Sequence, residues 1–478
     1  MSEQHFESVI KEKDDEILSL KEQVNSLQQQ LDAVLKLLKT GKSEKRKKSP
    51  KDSDIEKPAR KAPKEGSIPP VRKPISDHLE REVEHCKLEI PGAHFLGTEV
   101  SEYRKIYPER MVVRQIIRYK YKLPNGDIVI ADFPPDIVLP KSGADASLIA
   151  YLLIGKFDDH LPWDRQIKIL ARETGESLAP STVINWFNNV SRLMLPLFEE
   201  AVKMALEAGY LQMDESPIQV LDGEKPGSSH RGYMWVRHVP ESGLVIFDYA
   251  KGRGKQIPKD LLKKLPDFLQ TDGYAAYDQF GQIPNINLLA CWAHVRRKFD
   301  AALKNHRKKA QIALDLIGRL YALETKAKEE QFSPEQILKM RKSDSIKILE
   351  ELKSWALKEQ KDALPRSLIG KAINYMLNLW DRLITFTQDP QLHPDNNLIE
   401  NLIRPLALGK KNFLFAGSHA AAQNIAMYYS FFGTCKANGI NPSKWLEDVL
   451  RRINNHSISK IRELLPLNEN LAANPQWL

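Results

Sequence analysis

Cysteine is scarce: Cys86, Cys291 and Cys435 are the three in 478 residues. Three scattered thiols make no disulfide framework, and none belongs to a Cys-x-x-Cys zinc half-site. Long apolar runs are lacking as well. No stretch approaches the ~20 residues needed to cross a bilayer, so no membrane partner is expected. The opening MSEQHFESVIKEKDDE is acidic and polar where a secretory leader would be basic and then apolar. The expectation is a cytoplasmic protein, associated with the nucleoid if it binds DNA. What remains is ordinary globular composition, 42% hydrophobic and 28% charged. The chain is too long for one core, and about two to four domains are expected.

An acidic excess is also missing. The formal net charge is +9, and residues 41–75 hold twelve Lys/Arg against five Asp/Glu, a local +7 that leaves +2 elsewhere. Such a basic stretch suits nucleic acid, although solvated linkers share the composition. Rich in Lys, Pro and Ser and without periodicity, it reads as a disordered linker. Ahead of it, residues 1–40 contain a seven-residue repeat. Ile10, Ile17, Val24, Leu31 and Leu38 hold one position, and Lys13, Leu20, Leu27 and Val34 its partner. β-branched residues at the first position with Leu at the second favour a parallel two-stranded coiled coil, hence a homodimer or higher oligomer. An amphipathic helix packed on its own domain is the alternative.

Residues 76–140 read as a small β-rich segment, with strand character from Glu99 to Pro135 and a hairpin signal at Pro124-Asn125-Gly126-Asp127. Residues 141–206 read as helical. The break GESLAP followed by STVINWF has the outline of a helix-turn-helix, with Ser181, Thr182 and Asn185 as candidate DNA contacts. A plain helical hairpin has the same outline. In 207–299, three strands (Leu211–Leu221, Tyr233–Val239, Leu244–Tyr249) are joined by turn-rich connections and form an antiparallel meander. A short helix near Lys259–Lys264, the strand FLQTD, a helix-like stretch, NLLACW and a basic helix follow. Three antiparallel strands, then helix, strand, helix, strand, helix is the order of an RNase H-like core. Residues 300–390 are a helical insertion, 391–420 a further helix with a basic strip, and 421–478 a helical tail. The fold class expected is multi-domain α/β.

Within 391–420, Asp395 suits a helix N-cap, and the helix from Asn396 to Arg404 is expected to end at Pro405. It carries Glu400. Asp214 lies in the first strand of the core, where alternation lets it point off the sheet, and Asp272 ends the fourth. In-line attack on a phosphodiester needs an activated oxygen nucleophile and neutralisation of the leaving oxygen. Two divalent ions about 4 Å apart supply both. Mg²⁺ takes hard oxygen ligands, so three acidic residues on rigid elements suffice. Each has a bland reading: an exposed pair with Glu215, a turn residue before Gly273, an i,i+4 ion pair with Arg404. Their placement on matching elements of one fold shifts the weight. Cys291 and His294 alone cannot complete a zinc site, and His294 is expected to orient a phosphate or to pack beside the site. Arg296, Arg297, Lys298, Arg404, Lys410 and Lys411 are candidate phosphate contacts, or a solvated basic face.

LQMDESPI, QTDGYAAYD, CWAHVRRKF and HPDNNLIENLIRPLALGKKNFLFAGS occur here in that order. Through them the chain resembles transposases of the insertion sequence 66 family, a DDE-type group. The resemblance is strong over 207–299 and 390–420, moderate over 100–206 and generic before 75. It implies that Asp214, Asp272 and Glu400 are a catalytic triad binding two Mg²⁺ or Mn²⁺ ions. It further implies cleavage at insertion-sequence ends and strand transfer into target DNA, binding of terminal inverted repeats by the helix-turn-helix region, and small accessory transposition proteins as partners. Relatives often carry a cysteine-rich zinc segment. HCKLEIPGAH offers only Cys86 with His85 and His94, so zinc is not expected. A structure-selective nuclease of the same fold and a non-catalytic DNA-binding regulator are the competing readings.

Overall fold

The computed structural model describes Ile75, Asp77 and residues 79–107, 110–221 and 228–478. The expected coiled coil and nearly all of the basic linker lie outside the described residues. Among those described, no helix is long and apolar enough to cross a membrane.

The chain is mixed α/β with two mixed sheets. The first sheet contains β1 (Arg81–Cys86), β2 (His94–Tyr107), β3 (Arg110–Lys122) and β4 (Ile128–Ile130). β3 pairs parallel to β1 and antiparallel to β2 and β4. The expected hairpin forms between β3 and β4. Leu123 N donates to Asp127 O at 2.8 Å, and Gly126 takes φ +92°, a backbone shape suited to glycine. Strand structure begins well before Glu99, because 81–86 and 94–98 pair with the long β3 on its two sides, the latter with a bulge between Phe95 and Gly97. His85, considered as a zinc ligand, instead places Nδ1 2.8 Å from the Tyr119 hydroxyl. The sheet is tied to the body through charge. Arg114 and Arg451 both bond Asp136 and the buried Asp145.

Helices α1 (Ala146–Phe157), α2 (Trp163–Thr174) and α3 (Pro180–Glu207) follow. Asp145 caps α1 by accepting from Ser147 N at 3.0 Å, and nearly every α1 side chain is buried, so it packs as an internal helix.

The second sheet has strand order β7-β6-β5-β8-β9. Its members are β5 (Tyr210–Leu221), β6 (Ser229–Val239), β7 (Leu244–Ala250), β8 (Phe268–Gln270) and β9 (Asn287–Leu289). β5, β6 and β7 form the antiparallel meander, whereas β8 runs parallel to β5, and β9 parallel to β8. The short helix expected at Lys259–Lys264 is α4 (Gln256–Leu261), and the helix-like stretch is a 3₁₀ helix at Ala275–Gln282.

From β9 the chain enters α5 (Trp292–Glu329), α6 (Pro334–Met340), α7 (Ile346–Asp362), α8 (Leu368–Asn378) and α9 (Trp380–Ile384). The expected boundary at 299/300 falls inside α5, whose helical geometry breaks instead at His306 (φ −139°, ψ 54°). Helices α5, α7, α8 and α9 share a hydrophobic cluster with Tyr210 and Leu289 of the sheet. The chain then returns in α10 (Asn397–Phe413), α11 (His419–Ala437) and α12 (Pro442–Arg452).

Pro405 does not end α10; the helix runs through it to Phe413. The missing N–H costs one bond in the ladder, but buried Leu402, Leu406 and Gly409 hold both halves against the body. The cap also sits one residue later than expected, at Asn396, while Asp395 Oδ1 accepts from Asn397 N at 3.0 Å.

Candidate catalytic centre

β5 and β8 pair in parallel with Leu211 opposite Leu269 and Gln212 opposite Gln270. Counting two residues on from each Gln reaches Asp214 and Asp272. The two acidic residues therefore stand at equivalent positions just past the paired stretch, Asp214 within β5 and Asp272 beyond the end of β8. On β9, Leu289 pairs with Gln270, so the same count arrives at Cys291, directly before α5.

The start of α10 is laced onto these strand ends. Gln270 Nε2 donates to His393 O at 2.8 Å and Gln212 Nε2 to Asp395 O at 3.3 Å. Trp292 N donates to Pro394 O at 3.1 Å, and the wholly buried Asn396 donates from its side chain to Met213 O and from its backbone to Cys291 Sγ, both at 3.3 Å. Beneath them lies a buried polar layer. Tyr210 OH and Gln212 Nε2 both donate to Gln270 Oε1, and His238 Nδ1 meets Gln212 Oε1 at 2.9 Å. The first turn of α10, which carries Glu400, is thereby anchored beside Met213 of β5 and the end of β8.

Charge links these residues to Asp214. Asp214 is pushed up to about 7, first by burial and then by the charge of Asp272, with Glu215 and Glu400 adding to it. Asp272 and Glu400 both act on Asp214 by charge, and all three offer the hard oxygen donors that suit a divalent cation. Glu400 is ion-paired with Arg297, not with Arg404, and lies 3.8 Å from His294 Nδ1. Burial, and then the charge of Arg297, holds His294 below the usual imidazole range. Cys291 Sγ, a His294 ring nitrogen and a Glu400 oxygen lie within 4.8 Å of one another. The Cys291 thiol is pushed up to about 12 by burial, so in this state it is a neutral anchor for Asn396.

Asp272 sits in a tight turn. Its Oδ1 accepts from Tyr274 N at 2.8 Å, and its backbone oxygen accepts from Tyr375 OH on α8 at 2.9 Å. Gly273 follows at φ +86°, where a Cβ would also lie 3.1 Å from Leu379 Cδ1.

The other sequence candidates divide. Arg296, Lys411 and Arg404 are exposed, and Lys298 lies 4.2 Å above the Tyr375 ring. Lys410 departs from the expectation of a free phosphate contact. Its Nζ donates to Ser216 Oγ and to Pro217 O, each at 2.9 Å, so it braces α10 against β5. Ser181 and Asn185 are exposed on the first turns of α3, and Thr182 is half-buried.

Sequence reasoning missed a fourth acidic group. Glu215 points to the opposite side of β5, where Arg253 Nε donates to it at 2.6 Å and Tyr277 OH at 3.3 Å. It missed the Gln layer and Asn396 as well. The repeated Leu-Gln-x-Asp at 211–214 and 269–272 was the available signal.

Residues 141–424 match the family described as Transposase IS66 family, and residues 430–467 match the IS66 C-terminal element. Among curated proteins the chain is similar to uncharacterized protein y4qI of Sinorhizobium fredii (strain NBRC 101917 / NGR234), 28% identical over 438 residues, covering 87% of this chain and 80% of that one. It is also similar to uncharacterized protein y4hP of the same strain, 28% identical over 429 residues, covering 83% and 76%. With well over half of its length matched, the chain belongs to the IS66 family of transposases.

Proposed function

We propose that this protein is a DDE-type DNA transposase with an RNase H-like core, which cleaves DNA at the ends of its element and joins them to a target. The observation that supports the reading is the β5–β8 register, which sets Asp214 and Asp272 two residues beyond paired Gln212 and Gln270, with the charges of Asp272 and Glu400 both acting on Asp214. In the proposed mechanism, these three carboxylates would hold two Mg²⁺ or Mn²⁺ ions. Bound there, the ions supply Lewis-acid chemistry to the attacking and leaving oxygens. The chain's own residues do the rest. Asn396, Gln212 and Gln270 fix the carboxylates and the start of α10 relative to one another. Arg297, freed from Glu400, is within reach of a phosphate, and His294 beside it offers a neutral ring that can donate to or accept from a phosphate oxygen. Exposed Arg296, Lys411 and Arg404 supply charge along the backbone of the bound DNA. Exposed Ser181 and Asn185, with Thr182 beside them, are the proposed contacts of α3 to the terminal inverted repeats.

The test uses labelled DNA ends with the purified full chain. Asp214→Asn, Asp272→Asn and Glu400→Gln are each expected to abolish cleavage and strand transfer while DNA binding persists. Full activity in any of the three rejects that residue's role. Cleavage without joining would favour a structure-selective nuclease, and metal-independent binding with no cleavage a DNA-binding regulator.

A further inference from the structure

Away from the carboxylates, a cavity of about 850 Å³ opens between α2, α3 and the turn joining α10 to α11. Lys156 lines it from α1 and is only 8% exposed. Its ammonium faces two rings, 4.8 Å from the centroid of Phe413 and 5.0 Å from that of Trp163. No carboxylate or other acceptor among the described residues takes its protons, and burial lowers it to about 8. An unpaired buried cation is costly unless an anion completes the site. Arg192 adds a second charge at the rim, engaged among the described residues by the neutral oxygens of Asn188 and Asn189. The one carboxylate in the lining, Asp164, is already held by Lys168 at 2.8 Å.

The rest of the wall suits a flat, polar-edged group. The Phe415 ring is 43% exposed, and the Asn188 and Asn424 amides are paired only loosely with each other, at 3.4 Å. Ile184, Asn188 and Arg192 lie one turn apart on the same face of α3, the helix that presents Ser181 at its start. Along α10, Phe413 is thirteen residues from Glu400, or ~20 Å.

We propose that this cavity receives one unpaired nucleotide of the DNA substrate, its phosphate on Lys156 and Arg192 and its base against Phe415 with the two Asn amides at its edge. The proposal rests on the DNA reading above and adds to it a site that binds a displaced base at a distance from the scissile bond.

The test is binding by the full chain, without divalent ions, to two otherwise identical duplexes. One is fully paired, and the other carries a single unpaired 2-aminopurine nucleotide. Stacking one base on an aromatic ring predicts about tenfold tighter binding of the second, with quenched 2-aminopurine emission. Lys156→Met and Phe415→Ser should each bring the affinity ratio close to one and restore emission. Lys156→Met should melt no lower than the wild type, since it removes a buried charge, so its loss of discrimination is not unfolding. Discrimination that survives both substitutions, or equal binding of the two duplexes by the wild type, overturns the pocket while leaving the transposase reading intact. Failure to bind either duplex overturns both.

Discussion

Burial and neighbouring charge work against ionisation of Asp214, and the sign of the consequence is definite. Its folded pKa of about 7 lies above the ordinary 3.8, so the native state binds its proton more tightly than the unfolded chain does. The favourable contribution of the protonated form is fully present below about pH 4 and is lost as pH rises toward 7. Asp214→Asn should therefore raise the melting temperature at pH 8, by a free energy on the order of 2–4 kcal/mol, and change it little at pH 4. Mg²⁺ or Mn²⁺ should raise the wild-type melting temperature at pH 8 and leave the variant nearly unmoved. A wild-type stability indifferent to divalent ions would remove the physical basis of the carboxylate cluster. Arg297 gives a second outcome at this scale. It holds the Glu400 carboxylate that a cation would need, so Arg297→Gln should lower the half-saturating metal concentration by about fivefold, while lost phosphate contact lowers the maximal rate. At the level of residues much was legible. Asp214 lies on β5 and Glu400 on α10 as expected, because both elements are marked by flanking pattern, whereas Asp272, expected to end its strand, lies two residues past β8 in a turn. Lys410 was misread because a lysine in a basic strip looks the same in sequence whether its ammonium meets solvent or Ser216.

Single elements show why some boundaries could be read and others not. The meander of β5, β6 and β7 is marked by turn chemistry, and its strands fall within a few residues of expectation. β8 and β9 are three residues each in the ladder, too short for any periodicity to show. Their places follow instead from partners, β8 in parallel register with β5 and β9 with β8, while a helix seals the far edge of the sheet at β7. There α11 supplies Thr434 Oγ1 to Val245 N at 3.0 Å and Ser430 Oγ to Phe247 N at 2.7 Å, so the edge strand β7 has side-chain partners where another chain could otherwise pair. The start of α10 is likewise a tertiary product. Its cap residue, Asn396, makes no capping bond of its own and serves as a bolt into β5, with its Oδ1 left buried and unsatisfied. Asn396→Ala should cost about 1–2 kcal/mol in thermal unfolding, as one buried side-chain bond is lost. It should lower cleavage by far more than that stability change accounts for, because the carboxylate of Glu400 loses its fixed origin. Equal, small losses in both would make Asn396 a packing residue only.

For the whole molecule, the helical insertion between β9 and α10 could be an accessory lobe or part of the wall of the site. The contacts favour the wall. Trp292 Nε1 donates to Leu383 O at 2.9 Å, Tyr375 OH reaches the backbone of Asp272, and Tyr210 and Leu289 of the sheet belong to the apolar cluster of the insertion. Cutting residues 307–390 out and closing the gap would uncover that cluster, so the shortened chain should aggregate or expose its core to proteolysis rather than behave as a trimmed enzyme. Tyr375→Phe is the gentler probe. It keeps the ring under Lys298 and removes one hydrogen bond, worth about 1 kcal/mol, so the fold should survive with a small drop in melting temperature. The turn that holds Asp272 would lose its outer support, and metal-dependent cleavage should fall with a higher metal requirement while binding of uncleaved DNA is retained. If Tyr375→Phe cleaves at the wild-type metal concentration and rate, the insertion supports the fold without shaping the centre.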